Sequence, residues 1–127
     1  LHHPGTHVGC EHGVCGCCNV IVDGELMRSC LLFAWQIEGS EVETIEGIEN
    51  DDGLSDVQEA FCDNHAMQCG YCTPGMVMTV EYLLRENPNP TEGELVEAIS
   101  GNLCRCTGYQ QIIDAARSAA QTRAGSG

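Results

Sequence analysis

The segment GCEHGVCGCC, residues 9–18, carries four of the ten cysteines in this chain of 127 residues. Three of them, Cys10, Cys15 and Cys18, follow the spacing C-x4-C-x2-C, and Cys30 follows after eleven intervening residues. Cysteine at this density indicates a disulfide framework, structural zinc or an iron–sulfur cluster. The spacing of the thiols distinguishes among these classes better than their number does.

The spacing C-x4-C-x2-C with a distant fourth cysteine is the ligand pattern of plant-type [2Fe–2S] ferredoxins. Three thiolates from one loop must converge on one cluster, so the loop needs tight turns and must direct backbone N–H groups at the sulfurs. Gly9, Gly13 and Gly16 supply the conformational freedom for those turns. The pattern predicts four metal ligands: Cys10, Cys15, Cys18 and Cys30.

A second group of cysteines lies downstream, as Cys69 and Cys72 in CGYC and Cys104 and Cys106 in CRC. Four thiolates in two close pairs can hold either zinc or a second [2Fe–2S] cluster. Each pair directly precedes a predicted helix start, where free N–H groups and the positive end of the helix dipole stabilise thiolates. Spacing alone leaves both metals open, but zinc does no redox chemistry, so the ferredoxin-type loop favours a second cluster.

Two cysteines and one histidine remain outside these sets. We interpret Cys17 as a spare, partly buried thiol and Cys62 as a thiol of the core. His12 lies inside the first loop, but four cysteines are already available there, so we do not expect it to be a ligand.

The first half of the chain reads as strands and loops. In NVIVDGELMRS, residues 19–29, Asp23-Gly24 predicts a two-residue hairpin with Cys18 and Cys30 at its open end. A further short strand is predicted over residues 41–45. The acidic segment ENDDG, residues 49–53, is predicted to be the boundary between a ferredoxin-like domain, 1–50, and a helical domain, 54–124.

The second half reads as four helices, each recognised by its cap. The predicted starts are Ser55 with Gln58, Thr73-Pro74, Thr91 with Glu94, and Thr107 with Gln110. These helices are expected to end near Asn64, Asn87-Pro88 and Ser100 and after Ala120, respectively. The tail AGSG, residues 124–127, is predicted to be mobile.

Charge and composition narrow the possible functions. Nineteen acidic against five basic residues give a net charge of -14, which argues against binding to nucleic acid or to anionic lipid surfaces. No apolar run approaches the roughly 20 residues that span a bilayer. Residues 1–10 lack the features of a secretory signal, so we expect a cytoplasmic location, where thiols stay reduced. No nucleophile–base motif or phosphate loop is visible, and two redox centres without catalytic residues indicate an electron conduit.

Three segments together carry a specific resemblance: GCEHGVCGCCNV (9–20) with Cys30, QCGYCTPGM (68–76) and NLCRCTGY (102–109). The chain resembles, from about residue 5 to 120, the small [2Fe-2S] iron-sulfur subunit of the molybdenum hydroxylases. These include xanthine oxidase and aerobic carbon monoxide dehydrogenase. The resemblance implies an α+β fold, in which an N-terminal ferredoxin-like β-grasp, partly missing here, precedes an all-α four-helix bundle with a pseudo-two-fold axis. It also implies an oxidoreductase complex whose catalysis occurs at molybdenum on a partner subunit.

The resemblance further implies a role for each cysteine group. Cys10, Cys15, Cys18 and Cys30 would hold an outer cluster near FAD on a medium subunit. Cys69, Cys72, Cys104 and Cys106 would hold an inner cluster near molybdopterin on a large subunit. Gln68 would hydrogen-bond the pterin, and Cys106 would be the ligand on the pterin side. Electrons would pass from molybdenum through the two clusters to FAD, in a complex expected to be a dimer of heterotrimers.

The chain departs from the family pattern at three places. Cys17 stands where relatives usually carry Ala, and Asn19 where they usually carry Thr. Relatives also have an N-terminal hairpin and helix, about thirty residues, ahead of the position of Gly5. We expect the natural protein to carry that segment, which would complete the sheet of the β-grasp. The two alternatives to this interpretation are a module with one cluster and a zinc site, and a disulfide-stabilised binding protein.

Overall fold

The computed structural model describes residues 2–125, which form a small three-stranded sheet followed by four α-helices. The elements are β1 (Asn19–Val22), β2 (Glu25–Arg28), β3 (Val42–Glu43), α1 (Asp56–Asp63), α2 (Thr73–Glu86), α3 (Glu92–Ser100) and α4 (Gln110–Gly125). Of the tail 124–127, which is predicted to be mobile, residues 124 and 125 end α4, and residues 126 and 127 lie outside the described part. Within residues 2–125, no helix has the length and apolar character to cross a membrane.

The predicted hairpin is confirmed. β1 and β2 pair antiparallel with Val22 opposite Glu25, and both turn residues, Asp23 and Gly24, have positive φ angles of 49° and 85°. Positive φ at both central positions is what a two-residue turn requires to match the twist of its strands. β3 pairs with the other edge of β1, which gives the strand order β2-β1-β3.

The strand predicted over residues 41–45 is shorter in the structure, where only Val42 and Glu43 pair with β1. Thr44 is the residue that caps a short 3-10 turn, Ile45–Ile48, so the chain leaves the sheet there. Ile48 at the end of this turn is buried in the core.

The capping boxes predicted for α1 and α3 are confirmed. Ser55 Oγ accepts from the N–H of Gln58 at 3.2 Å, and Gln58 Oε1 accepts from the N–H of Ser55 at 2.8 Å. Thr91 and Glu94 make the same reciprocal pair at the start of α3. α2 contains the predicted Thr73-Pro74 in its first turn, but its N-cap residue is Cys72.

The predicted capping box for α4 is wrong. The Thr107 hydroxyl accepts from the N–H of Tyr109 at 3.1 Å and lies 3.1 Å from Cys104 Sγ, so it is engaged before the helix starts. Tyr109 has a φ of 72°, and this left-handed residue turns the chain so that α4 begins at Gln110.

The four helices form one packed unit in which α1 lies on α4 and α2 on α3. Their shared core contains large, fully buried side chains, among them Phe61, Met76, Leu95 and Ile112. The prediction that Cys62 is a thiol of the core is wrong, because Cys62 is exposed on α1. α4 contributes alanines to this core, at positions 115, 116, 119 and 120. Small side chains let two helices approach closely, which fits the extensive packing of α4 against α1.

α2 also packs on the central strand of the sheet, so it belongs to the core of both halves of the molecule. Ile21 of β1 joins the same buried cluster as Met76 and Val80 of α2. The mixed α and β fold with four helices therefore agrees with the predicted α+β class. The β-grasp topology and the boundary between domains 1–50 and 54–124 stay predictions.

Candidate iron–sulfur sites

The four predicted ligands of the outer group lie around one loop and the open end of the hairpin. Cys10, Cys15 and Cys18 precede β1, and Cys30 follows β2. The N–H and the hydroxyl of Ser29 both donate to Cys18 O, at 3.2 and 2.7 Å, which holds Cys30 next to Cys18. The thiol of Cys30 contacts that of Cys18. It also lies close enough to the Cys10 thiol for their charges to interact.

The loop backbone turns as predicted at two of its three glycines. Gly13 and Gly16 have φ angles of 83° and 74°, whereas the third left-handed residue of the loop is Glu11, at 58°, and not Gly9. Gly9 instead provides space, since a Cβ there would lie 3.2 Å from Cys15 Sγ.

The loop lowers the pKa of the Cys10 thiol. Backbone N–H groups of His12 and Cys15 lower the pKa of Cys10 to about 6, and the N–H of Cys15 lies 3.5 Å from the Cys10 sulfur. Burial has the opposite effect on Cys17, whose pKa it raises to about 11, and it also raises the pKa of Cys30. A thiol whose pKa is lowered below neutral pH is a thiolate, which is the form that binds metal.

The inner group has a buried side and an exposed side. Cys72 and Cys104 contact each other and are half-buried; burial raises the pKa of Cys72 to about 12. Burial opposes ionisation of Cys104 as well, but the Thr107 hydroxyl and the N–H groups of Thr107 and Cys106 outweigh it and lower the Cys104 pKa.

The exposed side of this group carries Cys69 and Cys106. Cys69 lies close enough to Cys72 for their charges to interact, and the backbone N–H of Cys106 helps to lower the pKa of the Cys104 thiol. Gln68, which directly precedes Cys69, is exposed on the same segment. Gln68, Cys69 and Cys106, here together called the inner face, are therefore all accessible to a partner.

Both groups have a donor set that fits [2Fe–2S] clusters. Each offers four free thiols, and backbone N–H groups point at Cys10 and Cys104. Thiolates with N–H donors directed at their sulfurs are the usual protein environment of these clusters. Within residues 2–125, no three His, Cys, Asp or Glu side chains converge as they would on a single metal ion.

The sequence did not reveal how closely the two groups are joined. The backbone N–H of Leu103 donates to the carbonyl oxygen of Cys15 at 2.9 Å, and Leu103 directly precedes Cys104. Asn102 adds a second bond, from its side-chain Nδ2 to Gly16 O at 3.3 Å. These residues are 86 positions apart, so no local pattern could have paired them.

A third contact joins the groups at Gly75 in the first turn of α2. A Cβ at this position would lie 2.0 Å from Gly16 O and 2.9 Å from Cys17 Cα, so only glycine allows α2 to approach the loop. A glycine inside a predicted helix is the one sequence signal that could have indicated this contact.

The segment before Cys10 is tied to the CGYC motif. Tyr71 donates its hydroxyl to Val8 O at 2.7 Å and stacks on His7 with ring centroids 4.6 Å apart. His7 Nδ1 also lies 2.8 Å from Tyr71 O. The two cysteine groups are thus fixed to one another from both ends of the outer loop.

Comparison with known proteins agrees with this geometry. Residues 44–117, which include both downstream cysteine pairs, match the family model of the [2Fe-2S] binding domain. The chain is 53% identical over 111 residues to the nicotine 6-hydroxylase small subunit of Paenarthrobacter nicotinovorans, covering 87% of this chain and 67% of that protein. It is 51% identical over 125 residues to caffeine dehydrogenase subunit gamma of Pseudomonas sp. (strain CBB1), covering 96% and 75%.

A solved structure has the same fold. The chain superimposes on quinoline 2-oxidoreductase from Pseudomonas putida 86 with a TM-score of 0.90 at 48% identity, over 96% of this chain and 76% of that one. These matches cover both the sheet and the helices. The chain therefore belongs to the [2Fe-2S]-binding domain family, as an iron–sulfur subunit of the molybdenum hydroxylase family of oxidoreductases.

Proposed function

We propose that this chain is a two-cluster electron relay. It receives electrons at its inner site from a molybdopterin centre on a large subunit and delivers them at its outer site to FAD on a medium subunit. Cys69, Cys72, Cys104 and Cys106 hold the inner cluster, and Cys10, Cys15, Cys18 and Cys30 hold the outer one. Each cluster would supply reversible one-electron redox chemistry.

The observation that carries this proposal is the hydrogen bond between Leu103 and Cys15. Its donor is one residue from an inner ligand, and its acceptor is the backbone of an outer ligand. A short chain of covalent bonds and one 2.9 Å hydrogen bond therefore links the two sulfur groups. Such a connection favours electron transfer between the two cysteine groups and argues against a separate function for each group.

The exposure of the two groups supports the proposed direction. The inner face of Gln68, Cys69 and Cys106 is open, so a pterin on the large subunit can reach it. We propose that Gln68 hydrogen-bonds that pterin and that Cys106 is the ligand nearest to it. In the outer group, Cys10 and Cys30 are half-buried while Cys15 and Cys18 are buried, so the flavin subunit would approach Cys10 and Cys30.

Partner subunits are part of the proposal. Relatives are named as a small subunit and as subunit gamma, which indicates multi-subunit enzymes. We propose a dimer of heterotrimers with one large and one medium partner for each copy of this chain. Ten free cysteines favour assembly in the cytoplasm, where thiols stay reduced.

Changing Cys106 to Ser in the intact complex tests the assignment of the inner site. The variant should lose the inner cluster, so iron per chain should fall by about half, with substrate-dependent reduction of the flavin greatly slowed. Cys62→Ser is the matched control, because Cys62 is also exposed but lies on α1 outside both groups. In a complex that carries Gln68→Ala, the iron content should be unchanged and the amount of bound pterin should be lower. Normal iron and normal flavin reduction in Cys106→Ser would contradict the assignment.

A further inference from the structure

Arg28 is the last residue of β2 and is paired with Asn19 across the hairpin. Its guanidinium donates to three acceptors on three different segments. Nε donates to Gly13 O in the outer loop at 3.1 Å, one terminal nitrogen donates to Asn19 Oδ1, and the other donates to Gly101 O at 2.7 Å. Gly101 is the C-cap residue of α3 and lies three residues before Cys104.

These three bonds connect to a buried polar network. Asn19 Nδ2 donates to the Thr79 hydroxyl at 2.8 Å, and that hydroxyl lies 2.8 Å from Gly75 O and 3.0 Å from Asn102 Oδ1. Asn19, Thr79 and Asn102 are each at most 4% exposed. Buried polar groups of this kind are satisfied only while all their partners stay in place.

We infer that Arg28 is a positioning residue that sets the separation between the two cluster sites and contributes a fixed positive charge between them. This inference rests on the proposed two-cluster function. The guanidinium is planar and always charged, and its donors form a rigid fork, so one side chain can hold three carbonyl-type oxygens in fixed directions. One of the segments that Arg28 joins is the outer loop, which ends at Cys18. Another is the C-terminal end of α3, which leads to Cys104.

The positive charge of Arg28 should also affect the reduction potentials of the two clusters. Both sites gather thiolates in a chain with a net charge of -14, and adding an electron to either cluster increases the local negative charge. A positive group at the joint makes that addition more favourable, so it raises the reduction potential. Cys30 is two residues from Arg28, so the effect should be larger on the outer cluster.

Two variants separate the geometric from the electrostatic contribution. Arg28→Lys keeps the charge and loses the fork, whereas Arg28→Gln loses both. In the intact complex with both clusters reduced, magnetic coupling between the clusters splits their EPR signals. This splitting should decrease in both variants, because the clusters are no longer held at their original separation. Redox potentiometry should give a lower potential for the outer cluster in Arg28→Gln and a nearly unchanged one in Arg28→Lys.

Arg117→Gln is the control, because the ion pairs of Arg117 within residues 2–125, with Glu92 and Asp114, lie at the surface. An Arg28→Gln complex with the splitting and potentials of the parent would overturn the inference, as would equal changes in Arg117→Gln. If the Arg28→Gln complex does not assemble, the Arg28→Lys complex tests the inference. A splitting equal to that of the parent would then overturn it. A parent complex with a single EPR signal would instead defeat the proposed function.

Discussion

Gly75 is a residue at which the two halves of the molecule approach one another closely. A glycine within a helix costs about 1 kcal/mol relative to alanine. Here that cost is offset, because the missing side chain lets the first turn of α2 lie against the backbone of Gly16 and Cys17. The obstruction to a larger residue is backbone, so a rotamer change could not relieve it.

Gly75→Ala should therefore destabilise the protein by about 1–3 kcal/mol, since the overlap has to be relieved by moving α2 away from the loop. Urea unfolding followed by circular dichroism measures this. Gly93→Ala is the matched control on α3, where the nearest neighbour of a new Cβ is 4.0 Å away, and it should stabilise by about 0.4–1 kcal/mol. Equal stability of the two variants would show that the contact at Gly75 has no energetic weight.

At the scale of elements, the start of a helix could be predicted wherever its cap is local. Ser55 with Gln58 and Thr91 with Glu94 lie three residues apart, and both boxes form as expected. Thr107 failed as a cap because its hydroxyl is used at Cys104 Sγ and at the Tyr109 N–H. That competition depends on the inner site, which a pattern of four residues cannot show.

α1 and α4 are further joined by an ion pair whose effect depends on pH. Arg123 donates to both carboxylate oxygens of Asp56, at 2.8 and 2.6 Å, and this lowers the Asp56 pKa below its ordinary value of 3.8. A carboxylate with a lowered folded-state pKa stabilises the protein above its ordinary pKa. The stabilisation is lost as the pH falls through the lowered value.

Asp56→Asn should cost about 2 kcal/mol at pH 7, because the side chain loses its negative charge and one of the two oxygens that accept from Arg123. The deficit relative to the parent should shrink below pH 4, as the parent loses the same interaction. Urea unfolding of both proteins between pH 7 and pH 3 checks this. Asp114→Asn, which removes an exposed pair with Arg117, should change stability by less than about 1 kcal/mol throughout. A deficit for Asp56→Asn that is independent of pH would contradict the argument.

At the scale of the whole molecule, the candidate ligands could be predicted from spacing, because a loop that wraps a cluster must present its thiols at fixed intervals. The hairpin and the capped starts of α1 and α3 also followed from local rules, whereas the assignment of the eight cysteines as ligands stays a prediction. The joint between the groups could not be predicted. It depends on Leu103 meeting Cys15, Gly75 meeting Gly16, and Arg28 meeting Gly101, contacts that form only when the chain has folded.

Iron and acid-labile sulfide per copy of this chain, measured on freshly purified, oxygen-protected complex, test the central claim most directly. Two four-thiolate sites, each with a [2Fe–2S] cluster, predict about four irons and about four sulfides. A value of about two irons, with zinc making up the difference, would contradict the two-cluster relay and leave the helical site with a purely structural metal.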